Sequence, residues 1–280
     1  MILCKTKKEV FRVVSDWKKE GAVIGFVPTM GSLHEGHLSL VKACKSSGYK
    51  TVLSIFVNPT QFNDASDFEK YPRELEQDLS LVQGFVDAVF VPSDSEMYID
   101  APLLTFQFGK LETVMEGKFR PGHFNGVGIV VSKLFNIIQP DVAFFGQKDL
   151  QQCAVVEQLV RDLSFPIKIV RHPIIRESDG LAMSSRNKRL SVEERKIAPI
   201  VFKALLAVEA AIQRGDSIAI SRQKGLEVLK EEPLFRLDYL EVVDSITLES
   251  VNQKHKNNLA VCIAVFLGEI RLIDNILILN

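Results

Sequence analysis

The chain has 280 residues, 46% of them hydrophobic, with 34 Lys plus Arg against 35 Asp plus Glu and a formal net charge of -1. That size and apolar content suit one large globular domain or two unequal ones, and a near-neutral balance without long one-sided charge blocks argues against nucleic acid as a partner. The longest apolar run, "LAVCIAVFLG" at 259–268, is too short to cross a bilayer, and "MILCKTKKEV" lacks the basic-then-apolar order of a signal peptide, so no membrane partner and a cytoplasmic location are expected.

In chain order, the first β-branched run, "AVIGFV" at 22–27, predicts a buried strand, and "VPTMGSLHEGHL" continues it through a glycine loop into a helix whose C-cap is Gly48. This resembles a phosphate loop without its Lys and hydroxyl. His34 and His37 stand three apart at the helix opening, on one face, where free amide donors and the positive helix end favour an anion. Two imidazoles there can donate hydrogen bonds to phosphoryl oxygens and, when protonated, offset the charge of a leaving phosphate. A tight strand-to-helix turn with incidental histidines would read the same way.

The next strand, "TVLSIFV" at 51–57, runs into "VNPTQF", which brings Asn58 and Gln61 to the same sheet edge, either as ligand contacts or as polar turn residues. "PRELEQDLSLVQG" predicts a helix with Pro72 in its first turn, and "DAVFV" at 87–91 a third strand. "RPGHFNGV" at 120–127 reads as a loop entering a helix that ends near Gln139; its "GVG" is only a fragment of a dinucleotide fingerprint. After the strand "DVAFF" at 141–145, "FGQKDLQQ" offers Lys148 for a phosphate and Asp149 either for Mg²⁺ or as a helix cap. The helix behind it places Leu150, Val156, Leu159 and Leu163 on one stripe, with Gln152 one turn in. "IKIV" at 167–170 is a fifth strand.

Beyond this point the texture changes. "DGLAMSSRN" at 179–187 brings Ser184, Ser185 and Arg186 together in a polar junction that suits either a triphosphate or a solvated linker. One long helix is predicted from Val192 to about Arg214, a second near 217–231, and hairpin-type strands after that. Alternating βα units followed by this tail predict a doubly wound, Rossmann-like parallel-sheet domain over residues 1–175 and a smaller C-terminal α+β domain over 176–280. Cys4, Cys44, Cys153 and Cys262 form no C-x-x-C pair and are expected as buried thiols, not a zinc site.

"PTMGSLHEGH", "FVNPTQF", "YPR" at 71–73, "RPGHFNGV", "SKLFNIIQPD", "FGQKDLQQ" and "DGLAMSSRN", in this order, closely resemble the pantothenate synthetases, the pantoate-β-alanine ligases of the HxGH nucleotidyltransferase superfamily. The resemblance covers most of the first 190 residues and implies ATP, Mg²⁺ and a homodimer; the C-terminal domain is expected to act as a lid, because Ser184 to Arg186 sit at the junction and can reach ATP only if the two domains approach. It assigns ATP to Met30, Gly31, Ser32, Leu33, His34, Glu35, Gly36, His37, Gly146, Gln147, Lys148, Asp149, Ile175, Met183, Ser184, Ser185 and Arg186. Pantoate would meet Gln61 and Gln152, and Asp149 would be the Mg²⁺ ligand. In the implied reaction, pantoate attacks the α-phosphorus of ATP to give pantoyl adenylate and pyrophosphate, and the β-alanine amine then displaces AMP. His34, His37 and Lys148 would be the catalytic groups. Many relatives carry Met where Thr60 stands and Glu where Gln147 stands, which touches affinity and not reaction type.

Overall fold

In the computed structural model, which describes residues 1–62, 68–252 and 258–278, all five predicted runs become strands of one sheet. Its strands are β1 (Ile2–Cys4), β2 (Ile24–Thr29), β3 (Lys50–Ile55), β4 (Ala88–Phe90), β5 (Val142–Gly146) and β6 (Lys168–His172). They lie in the order β1-β4-β3-β2-β5-β6 and are parallel at every pairing. β1 was not anticipated: three residues pairing with β4 at the sheet edge are too few to show a periodicity.

Helices α1 (Lys7–Lys19), α2 (Glu35–Ser46), α3 (Leu75–Val82), α4 (His123–Ile138) and α5 (Leu150–Asp162) cover both faces of this sheet. Side-chain alternation along β2 explains the two layers. Ile24 and Phe26 pack with apolar residues of α1, α4 and α5, whereas Val27 packs with those of α2 and α3. Each large side chain so buried stabilises the fold by about 1.5–3 kcal/mol relative to exposure. α1 starts at a capping box in which Thr6 Oγ1 accepts from Glu9 N and the Glu9 carboxylate accepts from Thr6 N.

Three local expectations are corrected. Pro72 is not in the first turn of α3, because the helix starts at Leu75 behind Glu74, whose backbone (φ -114°, ψ 52°) is not helical. Leu163 does not extend the buried stripe of α5: the helix stops at Asp162, Ser164 turns the chain with φ +52°, and Leu163 is 47% exposed. The long helix from Val192 is interrupted, giving α6 (Val192–Ile197) and α7 (Ile200–Arg214), with Pro199 at the N-cap of α7 where its missing N–H costs no helical bond.

The chain divides into two compact units, one made of Met1–Gly146 with Gln152–His172 and the other of Gln147–Gln151 with Pro173–Asn280. In the second, β7 (Phe235–Asp244), β8 (Leu259–Leu267) and β9 (Ile270–Ile278) form an antiparallel sheet in that order, after α7 and α8 (Ile218–Lys230). Val201, Leu205 and Val208 of α7 share a core with Leu240, Val261 and Ile263 of the sheet.

Candidate active site

In the first unit the strand order runs outward from β2 through β3 and β4 on one side and from β5 to β6 on the other. Carboxyl ends of strands open a crevice at such a reversal, and the loop after β2 lies there. Gly31 (φ +86°) and Ser32 (φ +49°) bend the chain sharply. The bend is held by Asp78 of α3, a buried carboxylate that accepts from Ser32 N at 2.9 Å and Leu33 N at 2.7 Å. A Cβ on Gly31 would lie 3.0 Å from Asp78 Oδ2 and 3.1 Å from Ile55, so glycine serves both the positive φ and the close approach.

This bend delivers His34 as the N-cap of α2. Its Nδ1 accepts from Gly36 N at 3.1 Å, while His37 Nδ1 accepts from His34 N at 3.3 Å, a capping box built from two imidazoles whose rings stand 4.1 Å apart. Accepting requires a lone pair on Nδ1, so in this geometry both rings are neutral tautomers with the proton on Nε2. The cap thus takes up the Nδ1 lone pair of each ring beside the positive helix end. Neutralising charge as imidazolium ions, the other role expected for them, would sacrifice the cap.

Asn58 and Gln61 frame the one-turn Pro59–Gln61 helix after β3, and both are buried. Asn58 Nδ2 donates to Gln61 Oε1 at 3.1 Å and to Gly126 O at 3.3 Å; Asn58 Oδ1 accepts from Tyr98 Oη at 2.7 Å and Thr60 Oγ1 at 3.0 Å. Gln61 Nε2 in turn donates to Met30 Sδ at 2.9 Å, joining this turn to the glycine loop. Burial pushes the Tyr98 phenol up, which keeps it a donor. His123 Nδ1 lies 2.9 Å from Gln61 O, and Arg120 Nη1 lies 3.3 Å from His123 Nε2. Gly126 is explained by packing: a Cβ there would sit 2.2 Å from Thr60 O, so only glycine lets α4 approach this turn. Gln152 is half-buried in α5.

In the second unit, Lys148 sits on the short Gln147–Asp149 helix with Nζ 3.6 Å from the Asp149 carboxylate. Lys148, Ser184, Arg186, Asn187, Arg271 and Asp274 line one cleft. The 179–187 stretch is no solvated linker: Ser184 Oγ caps the Ser185–Arg189 turn by accepting from Arg186 N, and Asn187 Nδ2 donates to Ala182 O at 3.0 Å. Ahead of it, Arg176 bridges to Ala182 through the backbone, and its guanidinium grips Asp274 of β9 at 2.6 and 3.0 Å. Burial pushes the Asp274 carboxyl up, against the pull of that guanidinium.

Each unit thus gathers its own share of the expected residues: the imidazoles, Met30 and Gln61 in the first, and Lys148, Ser184 and Arg186 in the second. Missed by the sequence reading were Asp78, Tyr98, Asp274 and Asn275. Glu76 and Asp78 look alike in "ELEQD", and only the three-dimensional approach to residues 32 and 33 tells them apart. Asp149, with a side chain 48% exposed, fits the single carboxylate that Mg²⁺ commonly takes beside phosphates and water. Among the described residues, no three His, Cys, Asp or Glu side chains gather as a metal cage, and no helix is long and apolar enough to cross a membrane.

These features define a doubly wound α/β domain together with a small α+β unit. The family model described as pantoate-beta-alanine ligase matches residues 2–277, and the chain belongs to that family. It is 50% identical over 279 residues to the pantothenate synthetase of Thermosipho africanus, covering 97% of this chain and 96% of that one. With the Caldicellulosiruptor bescii pantothenate synthetase it shares 46% identity over 280 residues and 99% of each chain. Among solved structures, pantothenate synthetase from Thermus thermophilus superposes with a TM-score of 0.93 at 43% identity over 99% of both chains. The pantoate-beta-alanine ligase of Francisella tularensis, complexed with beta-gamma ATP and β-alanine, gives a TM-score of 0.81 at 36% identity, over 99% of this chain and 97% of that one.

Proposed function

We propose that the two imidazoles at the head of α2 are hydrogen-bond donors to the phosphoryl group in an ATP-dependent ligase. The enzyme condenses pantoate with β-alanine through pantoyl adenylate, releasing pyrophosphate and then AMP. The observation that carries the assignment is the double cap at His34 and His37, which turns both Nδ1 atoms inward and sets both rings at an anion-attracting helix end.

Within the first unit, residues 30–37 receive the α-phosphate region of ATP, and Gln61 and Gln152 take pantoate. Gln61 arrives with its carbonyl oxygen already held by Asn58 and its amide nitrogen on Met30, a weak acceptor that a substrate oxygen can replace at little cost. Within the second unit, Lys148 and Arg186 neutralise the departing pyrophosphate and Ser184 and Ser185 bind its oxygens, with Gln147, Asp149, Ile175 and Met183 as further ATP contacts; Gly146, the last residue of the first unit's β5, is another. Asp149 would hold Mg²⁺, which when bound offsets triphosphate charge. The first step forms a carboxylate O–P bond and breaks the Pα–O bond to pyrophosphate; the second forms a C–N bond and expels AMP, the amine losing its protons to solvent.

The test is pantoate-dependent exchange between ATP and pyrophosphate. His37→Ala should lose about 10² to 10³ in this rate, as removal of a donor to developing charge commonly does. Supplied pantoyl adenylate and β-alanine should still react near the parental rate. Equal loss in both half-reactions would remove His37 from the phosphoryl step.

The same reading makes the enzyme a cytoplasmic homodimer. Ile99, Leu103 and Leu104, on one short segment, are 87%, 98% and 65% exposed, an apolar stretch that a second copy would cover. Light scattering that returns a monomer mass would end that part of the proposal.

A further inference from the structure

Strand β9 carries a buried amide whose partners do not belong to the sheet. Asn275, 2% exposed and opposite Cys262 in the β8 register, directs Nδ2 at two main-chain oxygens, Gln147 O and Lys148 O, each at 3.0 Å. Two carbonyl acceptors fix which end of the amide is which, so its Oδ1 must face the other way. There it accepts from Gln147 Nε2 at 3.1 Å. All three side-chain bonds of Asn275 therefore end on the short Gln147–Asp149 helix. They set two consecutive peptide planes, and with them the direction in which the Lys148 side chain leaves the backbone.

Its chain neighbour does the same for the other half of the cleft. Asp274 grips Arg176 through both oxygens, and Arg176 also donates to Gly180 O at 3.1 Å and Asn275 O at 3.2 Å. Two adjacent residues of β9 thus tie down both stretches that line the cleft, one bearing Lys148 and the other leading to Ser184 and Arg186. Burying an amide in a strand costs stability unless its bonds are made, and an apolar pair would serve the sheet alone as well. What an apolar residue could not supply is a pair of donors to the Lys148 turn.

We infer that Asn275 is a positioning residue for adenylation, acting through the main chain of Gln147 and Lys148 to aim the Lys148 ammonium at the pyrophosphate leaving group. The inference rests on the role proposed above for Lys148. Asn275→Asp keeps the shape but sets a carboxylate oxygen against the two carbonyl oxygens; Asn275→Ser keeps one donor and is the milder change. A misplacement on the order of 1 Å costs up to about 10² in rate, so Asn275→Asp should slow pantoate-dependent exchange by about 10- to 100-fold through kcat, with the pantoate KM little changed.

A double-mutant cycle separates positioning from general damage. In a Lys148→Ala background, Asn275→Asp should cost less than about 3-fold more, because the group it aims is gone. Independent, multiplying losses would overturn the inference, as would parental exchange in both Asn275 variants. Loss of the folded state by circular dichroism in both would also overturn it, assigning Asn275 to folding instead. If Lys148→Ala alone keeps parental exchange, the reading of Lys148 fails; if it loses exchange while the Asn275 variants keep theirs, the inference alone fails.

Discussion

Asp78→Asn tests the loop that presents the imidazoles through a side chain that is not itself proposed to meet substrate. The native carboxylate accepts two main-chain N–H groups in a buried setting, at 2.9 and 2.7 Å. An asparagine keeps one acceptor oxygen and turns an NH₂ toward the other N–H, so one charge-assisted bond worth about 1.5–3 kcal/mol is lost and one buried donor is left facing another. A net cost of about 2–4 kcal/mol follows, which for a domain of this size corresponds to a fall in Tm of roughly 4–12 °C. Because Ser32 and Leu33 are the last residues before the His34 cap, the loop should relax and displace both Nε2–H donors, slowing exchange by about 10- to 100-fold. Differential scanning calorimetry and the exchange assay on the same preparation measure the two effects. A variant that melts within about 1 °C of the parent and keeps its exchange rate would falsify the claim that Asp78 holds the loop.

Four further outcomes are expected. Gly126→Ala places a methyl 2.2 Å from Thr60 O and 2.7 Å from Gln61 Cα, so the Pro59–Gln61 turn must shift, and steady-state kinetics should show the pantoate KM raised by about 10-fold or more. Burial pushes the Cys44 thiol up to about 11. Its contribution to stability is then complete below the ~8.5 of an unfolded thiol and lost as pH rises through about 11, and at pH 8 iodoacetamide should label Cys44 only after denaturation, as read by mass spectrometry. Arg195, donating to Asp179 Oδ2 at 2.6 Å, holds that carboxyl below its ordinary range. Stability from this pair is present above an unfolded value of about 3.9 and lost as pH falls through the lower folded value. Arg195→Ala should therefore flatten the acid limb of thermal melts, slightly, because both groups are part-exposed. Finally, Mg-ATP with pantoate should slow amide exchange across residues 178–190; unchanged exchange there would remove the support for a lid.

Five strands of the parallel sheet were legible because strands buried on both faces need near-continuous apolar runs, and Ile24, Val27, Val52 and Leu53 supply them. The imidazole pair was legible because its partners lie within three residues, so spacing and geometry say the same thing. β1 was hidden by its shortness, and the interruption between α6 and α7 by apolar periodicity that continues across Pro199. Asp78 and Asn275 were out of reach for a different reason. Each acts on main-chain atoms 45 to 128 residues away, and a backbone N–H or carbonyl leaves no residue type in the sequence to be recognised. Gly126 was visible as a glycine, but its cause, the oxygen of Thr60, was not.

The second unit enters the chain twice, first as the five residues Gln147–Gln151 and again from Pro173 onward. During synthesis the Lys148 turn therefore emerges long before the strand that fastens it, since Asn275 follows Gln147 by 128 positions. A contact that distant in sequence is among the last to form, because closing so large a loop costs entropy that only the finished three-stranded sheet offsets. All six strands of the parallel sheet precede Asn275 in the chain, so their residues are made before the amide clamp of the Gln147–Asp149 turn. On the ribosome, the Gln147–Asp149 turn thus gains its amide clamp only once one of the latest segments has been made.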